Sequence, residues 1–131
     1  MSFISPRRNM GSYKAVDTAS RVEGASPHDL VVILFDELLL RLDAAVRHAQ
    51  RGESVPMIQA RARASAIVIA LEESLDFEKG GELALALARI YREASRRINA
   101  AISIDKVDML ISARQMLAEI AEAWRTIAPR G

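Results

Sequence analysis

Apolar residues recur every three or four positions along most of the chain after residue 26, which is the spacing of a helix that buries one face. The first such stretch has Ser26 as an N-cap, Pro27 at the first helical position and Asp29 in the first turn. Gly52 follows as the expected C′ glycine. We therefore predict a helix over 27–50, with inward positions at Leu30, Val31, Leu34, Leu38, Leu42, Ala45, Val46 and Ala49.

The same spacing predicts a second helix that is capped by Ser54, carries Pro56 in its first turn and ends near 75–76. The run of residues 67–69 is apolar on every side, which predicts burial on more than one face of this helix. Its expected inward positions are Met57, Ile58, Ala62, Ala66, Ile69 and Leu71.

A third helix is predicted from about Glu82 to Ala101, after a turn over 77–81 that contains Gly80 and Gly81. A fourth is capped by Asp105 and stops at Pro129. Their expected inward positions are Leu83, Leu87, Ile90, Tyr91, Ala94 and Ile98, and then Leu110, Ala113, Leu117, Ile120, Ala121, Trp124 and Ile127.

Four long helices joined by short links predict an all-α fold, an antiparallel four-helix bundle over 27–128 within one domain of 131 residues. Residues 1–8 contain Pro6 and a basic cluster, and we expect them to be disordered. Residues 9–20 carry a weak helical stripe but are too short to be stable alone, so we expect a detachable segment.

Composition excludes several classes of function. With 18 basic and 17 acidic residues, the chain lacks the basic excess of a dedicated nucleic-acid binder. It contains no Cys, so it has no disulfides and no thiolate metal sites. No apolar run approaches the roughly 18 residues of a membrane span, and the N-terminus does not resemble a signal peptide. We therefore expect a cytoplasmic protein without membrane insertion.

Candidate chemistry is sparse. His28 and His48 lie near helix ends, and neither follows a Glu by three residues as the ligands of di-iron bundles do. No nucleophile–base pair is evident, so we expect no metal, no cofactor and no catalysis. Asp36 lies inside an apolar run, where it is expected to accept a hydrogen bond from another helix.

Three arginines of the third helix, at positions 89, 92 and 96, share one face. An ordinary solvated face with ion pairs, a docking face for acidic partners and a nucleic-acid surface all fit this pattern. The first helix is unusually apolar around its circumference over 30–40. Either it is the central helix, or it exposes a partner site that the N-terminal segment covers.

Several short motifs follow one another along the chain. Tyr13 is followed by Ala-Ser-Pro-His-Asp-Leu at 25–30 and Leu-Phe-Asp at 34–36. Leu-Asp-Phe-Glu-Lys-Gly-Gly-Glu-Leu-Ala comes next at 75–84, and then Tyr91, the Arg pair at 96–97, Asp105 and the Ala-Trp at 123–124. In order and in register, these motifs resemble those of flagellar export chaperones of the FliS type, from about residue 10 to residue 127. The motif at 75–84 is close to the family signature Leu-Asp-x-Glu-x-Gly-Gly-Glu-Ile-Ala.

The resemblance implies a protein that binds the disordered C-terminal segment of flagellin in apolar grooves, prevents premature polymerisation and delivers flagellin to the export gate. A regulatory adaptor that binds another secretion or transcription factor is the alternative. The expected partner-binding residues are Leu30, Val31, Leu34, Leu38, Ile67, Leu71, Leu87, Tyr91 and Ile98. Met10, Tyr13 and Val16 match the family positions that cover the groove before a partner displaces them.

Overall fold

A computed structural model describes residue 24 and residues 26–126 of the chain. Its α-helices are α1 (Pro27–Gln50), α2 (Ser54–Glu73), α3 (Phe77–Ala100) and α4 (Val107–Thr126), with a 3-10 turn at Ile104–Lys106. No strand occurs in this part of the chain. The prediction of an all-α fold is confirmed.

The helices pack in a ring in which α1 neighbours α2 and α4, while α3 closes the ring between α2 and α4. Between α1 and α4, Asp36 pairs with Arg125 and Asp43 with Arg114, so residues further along α1 meet earlier residues of α4. This order shows that the two helices are antiparallel. The pair Arg125–Asp36 also confirms that Asp36 accepts a hydrogen bond from another helix.

The core is built from aliphatic side chains with alanines between them. Ala45, Ala64, Ala94 and Ala113 are fully buried, and small residues at these contacts let the helix axes approach closely. The largest fully buried side chains are those of Phe35, Leu38, Leu42, Met57, Val68, Leu71, Ile98, Leu110 and Leu117.

Both ends of α1 lie where the sequence predicts. The Ser26 hydroxyl accepts a hydrogen bond from the Asp29 amide at 3.2 Å. At the other end, Gly52 has a φ of 74°, and the amides of Gly52 and Glu53 donate to the carbonyls of Ala49 and His48. These two bonds form a Schellman motif, which requires a left-handed C′ residue.

Two predicted caps are wrong. The N-cap of α2 is Glu53, not Ser54, and it makes no side-chain capping bond because its carboxylate lies 2.7 Å from His48 Nδ1. Asp105 lies inside the 3-10 turn, where its carboxylate accepts a hydrogen bond from the Ser103 hydroxyl, and α4 begins only at Val107.

The segment 77–81 is not the open turn that the sequence predicts. Asp76 caps a helical turn through bonds from the amides of Glu78 and Lys79, at 3.1 and 3.0 Å. Only Gly81, at φ 50° and ψ −124°, departs from helical geometry. The predicted helix start near residue 82 therefore coincides with a break inside α3 rather than with its beginning.

Several predicted inward positions are exposed. On α2, Ile58, Ala62, Ala66 and Ile69 face outward. In the run over 67–69, Val68 is buried and Ile67 is half-buried against the core, while only Ile69 is exposed. Leu83 of α3 is 58% exposed, while Ala84 and Ala88 are buried. Ile127 and Pro129 lie outside the described residues.

Candidate partner-binding site

An apolar cavity of about 270 Å³ opens at one end of the bundle, where the start of α1, the end of α4 and the α2–α3 link meet. Its apolar lining comes from Val31, Leu75, Leu83, Ala84, Leu87, Tyr91 and Trp124, and its polar lining from Ser74, Asp76, Lys79 and Gly80.

Trp124 is held in place at this cavity by α1. Its ring stacks on that of His28 with centroids 5.2 Å apart and planes inclined by 13°. Its Nε1–H donates to the His28 carbonyl at 3.2 Å. A helix carbonyl and a flat ring therefore fix the indole, and its remaining surface lines the cavity.

Tyr91 forms part of the opposite wall and is 3% exposed. Its ring packs at a tilt against Phe35 of the core, with centroids 6.3 Å apart. Burial raises the pKa of the Tyr91 phenol to about 12, because the charged form would lose its solvation. An ordinary tyrosine is also neutral at physiological pH, and burial favours the neutral phenol further, which suits an apolar ligand.

The first turn of α3 shapes the rim. A Cβ built on Gly80 would lie 2.9 Å from the Ala84 Cβ, so glycine lets this turn approach the helix that follows. The break at Gly81 separates Phe77 from Leu83, and these two side chains are 48% and 58% exposed. Large exposed apolar side chains beside an apolar cavity are typical of a protein-binding site.

Two other grooves are less suited to an apolar ligand. The one between α3 and α4, of about 330 Å³, is larger but includes Arg97, Gln115 and Glu119 in its lining. The one between α1 and α2, of about 180 Å³, is lined by Arg41, His48, Arg63 and other mostly polar side chains. We therefore take the cavity at Trp124 as the candidate site.

The structure separates the predicted partner-binding residues into three groups. Val31, Leu87 and Tyr91 come together in the cavity. Leu30, Leu34 and Ile67 are half-buried and do not line it. Leu38, Leu71 and Ile98 are core residues, at most 1% exposed, so we assign them a role in stability. The expected cover residues Met10, Tyr13 and Val16 lie outside the described residues.

Some cavity residues were not predicted as site residues. Trp124 and Leu83 were assigned to the core because they continue the apolar stripes of their helices. Leu75 and Lys79 lie in the motif at 75–84, which carried the family resemblance but suggested no role for these two side chains.

The described residues, 24 and 26–126, contain no group of three or more His, Asp or Glu side chains that could hold a metal ion. None of the helices in this part of the chain is long and apolar enough to cross a membrane.

Comparison with known proteins identifies the family. The sequence profile described as "Flagellar protein FliS" matches residues 9–131. The flagellar secretion chaperone FliS of Salmonella typhimurium strain LT2 is 34% identical over 120 residues, which are 91% of this chain and 89% of that protein. The flagellar secretion chaperone FliSB of Pseudomonas aeruginosa strain PAO1 is 32% identical, over 91% of this chain and 94% of its own. This chain therefore belongs to the FliS family of flagellar secretion chaperones, which are not enzymes.

Proposed function

We propose that this protein binds the disordered C-terminal segment of flagellin in the cytoplasm. In this way it prevents premature polymerisation of flagellin and delivers flagellin to the flagellar export gate. Its relatives are named flagellar secretion chaperones, which supports a secreted flagellar protein as the partner. The observation that carries the proposal is the apolar cavity walled by Val31, Leu87 and Trp124, with Leu83 exposed at its edge.

A disordered segment that folds on binding needs a preformed apolar surface, because ordering its backbone opposes association by several kcal/mol. The cavity is preformed by the stack of Trp124 on His28 and by the buried Tyr91. One or two apolar side chains of a bound helix would fill it, at the helical spacing used in helix-in-groove recognition. Phe77 and Leu83 would then be covered by the rest of that helix.

Residues 9–20 act in this proposal as a cover that leaves when flagellin binds, with Met10, Tyr13 and Val16 as its apolar contacts. With such a cover, the apparent affinity for flagellin is the intrinsic affinity multiplied by the fraction of protein in which the site is open. In return the cover shields the apolar cavity from self-association when no flagellin is present.

The test is a calorimetric titration of the full chain with the C-terminal segment of flagellin, comparing Leu83→Asp with Leu40→Asp. Both leucines are about half exposed, at 58% and 50%, but only Leu83 lines the cavity. We expect Leu83→Asp to weaken binding by about tenfold or more, since it places a charge in an apolar contact. Leu40→Asp should bind as the unmodified protein does.

The fluorescence of Trp124 gives an independent readout, because it is the only tryptophan of the chain. If a bound segment that contains no tryptophan buries Trp124, the emission of Trp124 should shift to shorter wavelength. Absence of binding at micromolar concentrations would contradict flagellin as the partner and favour another secretion or regulatory factor. If Leu83→Asp and Leu40→Asp weakened flagellin binding equally, the binding site would not be the cavity.

A further inference from the structure

We propose that the α3–α4 groove binds a basic side chain of the flagellin segment, whose aliphatic stem packs on an apolar floor and whose cation pairs with Glu119. We define this groove by the residues that line it, which are Ile90, Arg97, Ser112, Gln115, Met116, Glu119 and Ile120. The inference rests on the proposed function, since it names a further contact of the same bound segment.

The groove continues the cavity at Trp124 along the seam between the two helices. Arg97 Nη1 donates to the Ser112 hydroxyl at 2.7 Å, whereas earlier residues of α3 meet Trp124 in the cavity. The two helices are therefore antiparallel. Ile90 and Ile120 each lie about one turn from a residue that lines the cavity, so they stand at the end of the groove next to it. A segment that leaves the cavity along this seam enters the groove directly.

The floor of the groove is apolar. Ile90, Met116 and Ile120 are half-buried, and the last two also pack against the core. Gln115 and Glu119 are exposed and form part of its polar edge on α4. An apolar floor beside a polar edge suits a long side chain with a methylene stem and a polar end, which lysine and arginine have.

The charges of the groove select a cation over an anion. Among the described residues that line it, only Arg97 and Glu119 are charged. The Arg97 guanidinium is already engaged, since its Nε donates to Glu93 at 2.7 Å and its Nη1 to Ser112. The Glu119 carboxylate makes no hydrogen bond or ion pair with any described residue. The acceptor without a partner is thus at the end of the groove near Ile90, next to the cavity.

The spacing along α4 predicts where the bound segment carries its basic residue. Glu119 precedes Trp124 by five residues. This separation is about 7 Å along the helix axis, and a long basic side chain covers part of it. We therefore expect a lysine or arginine about four residues from the apolar anchor in the cavity, on the same face of the bound helix.

The experiment is a calorimetric titration of the full chain with the C-terminal segment of flagellin, comparing Glu119→Gln with Glu122→Gln. Both glutamates are exposed on α4, but only Glu119 lines the groove. We expect Glu119→Gln to weaken binding about threefold to fivefold and to reduce its salt dependence, because an ion pair near the surface is lost. Glu122→Gln should bind as the unmodified protein does. Glu119→Lys should weaken binding by about tenfold or more, because it sets like charges together.

Variants of the segment separate direct pairing from a structural effect of the substitution. Each lysine and arginine of the segment is replaced in turn by norleucine, which keeps an aliphatic stem and removes the charge. At one position, about four residues from the cavity anchor, the replacement should weaken binding to the unmodified protein and have no further effect on Glu119→Gln. A structural role of Glu119 would instead leave the two effects additive at every position.

The outcomes distinguish this contact from the proposed function. Absence of binding by the unmodified protein would contradict the proposed function, and this contact with it. Binding that Glu119→Gln leaves unchanged, or that both glutamine variants weaken alike, would overturn the contact while keeping flagellin as the partner. The same holds if no basic residue of the segment is coupled to Glu119. Weakening by Glu119→Gln alone, coupled to one basic residue, supports the contact.

Discussion

Leu38 and Leu40 show how much two positions along one helix can differ. Leu38 is fully buried in the core, while Leu40 is 50% exposed on the outer side of α1. A helix turns by about 100° per residue, so neighbours in an apolar run point to different surroundings. Because the run over 30–40 is apolar throughout, its inner and outer residues could not be separated by hydrophobicity alone.

We predict that Leu38→Ala lowers the free energy of unfolding by about 2–5 kcal/mol, because it removes buried apolar side-chain atoms and leaves a cavity. Leu40→Ala should change it by no more than about 0.5 kcal/mol. Both substitutions leave helix propensity nearly unchanged, so the comparison isolates burial. Urea denaturation of the two variants measures the difference, and similar losses at both positions would contradict the assignment of Leu38 to the core.

Glu93 is the most strongly perturbed carboxylate among the described residues. Hydrogen bonds from Arg96 and from Arg97, with their charges, lower the pKa of Glu93 to about 2 from its ordinary value of 4.5. The group is on the surface, so its contribution to stability is small and depends on salt.

The pH dependence has a definite sign. A carboxyl whose pKa is lower in the folded state stabilises the protein above the unfolded pKa, near 4.5, and loses this effect as the pH falls toward 2. The stability difference between the unmodified protein and Glu93→Gln should therefore shrink over that range. Chemical denaturation at several pH values tests this, with Glu122→Gln as the control for loss of an exposed carboxylate. A difference that stays constant with pH would contradict the role given to the two arginines.

At the scale of elements, helix ends were predictable where one local motif decides them. Ser26, Pro27 and Gly52 set the ends of α1, because capping bonds and a left-handed C′ residue act within a few residues. Prediction failed at Glu53, where the carboxylate is drawn to His48 on the preceding helix. It also failed at 77–81, where the two glycines suggested a turn but Asp76 caps a helical turn instead.

Gly81 carries the break within α3. Its backbone, at φ 50° and ψ −124°, lies in a region that residues with a Cβ rarely adopt. Gly81→Ala should therefore destabilise the protein by about 1–3 kcal/mol and weaken partner binding by moving Leu83 relative to the cavity. Asparagine should not restore stability, since it tolerates the left-handed helical region but not this ψ.

Substitution of Gly52 by asparagine provides the comparison. Gly52 is the C′ residue of a Schellman motif, where asparagine is a natural replacement. We expect Gly52→Asn to be milder than Gly81→Asn in thermal denaturation. Equal losses at the two glycines would mean that the break at Gly81 has no special backbone requirement.

For the whole molecule, closure of the ring depends on α4. Its contacts with α1 include the Trp124–His28 stack and the pairs that Arg114 and Arg125 make with aspartates of α1, besides the shared apolar core. The described residues form a continuous core that includes side chains from all four helices. The helices of these residues also have their own capping bonds and ion pairs at the surface of the bundle.

We therefore predict that deletion of residues 1–20 leaves a bundle that unfolds cooperatively and binds the flagellin segment at least as tightly as the full chain. Removing a cover raises the fraction of protein with an open site. Circular dichroism on heating and a calorimetric titration test the two parts. Loss of cooperative unfolding would mean that the segment belongs to the core, and weaker binding would mean that it contributes contacts rather than covering the site.

From the sequence alone one can predict the four helices of the described residues, the ends of α1, the absence of cysteine chemistry and the family. Each depends on local spacing, on composition or on motifs that can be recognised along the chain. Nine residues were predicted to bind a partner, but only Val31, Leu87 and Tyr91 of them line the cavity.

Which apolar residues are core and which are surface became clear only from the packing of the helices. Leu71 and Ile69 are chemically similar neighbours on α2, yet one is 1% exposed and the other 48%. The difference arises because burial depends on which helices stand next to α2, and this neighbourhood is a property of the packed ring. For the same reason the cavity at Trp124 emerged only once the start of α1, the α2–α3 link and the end of α4 were brought together.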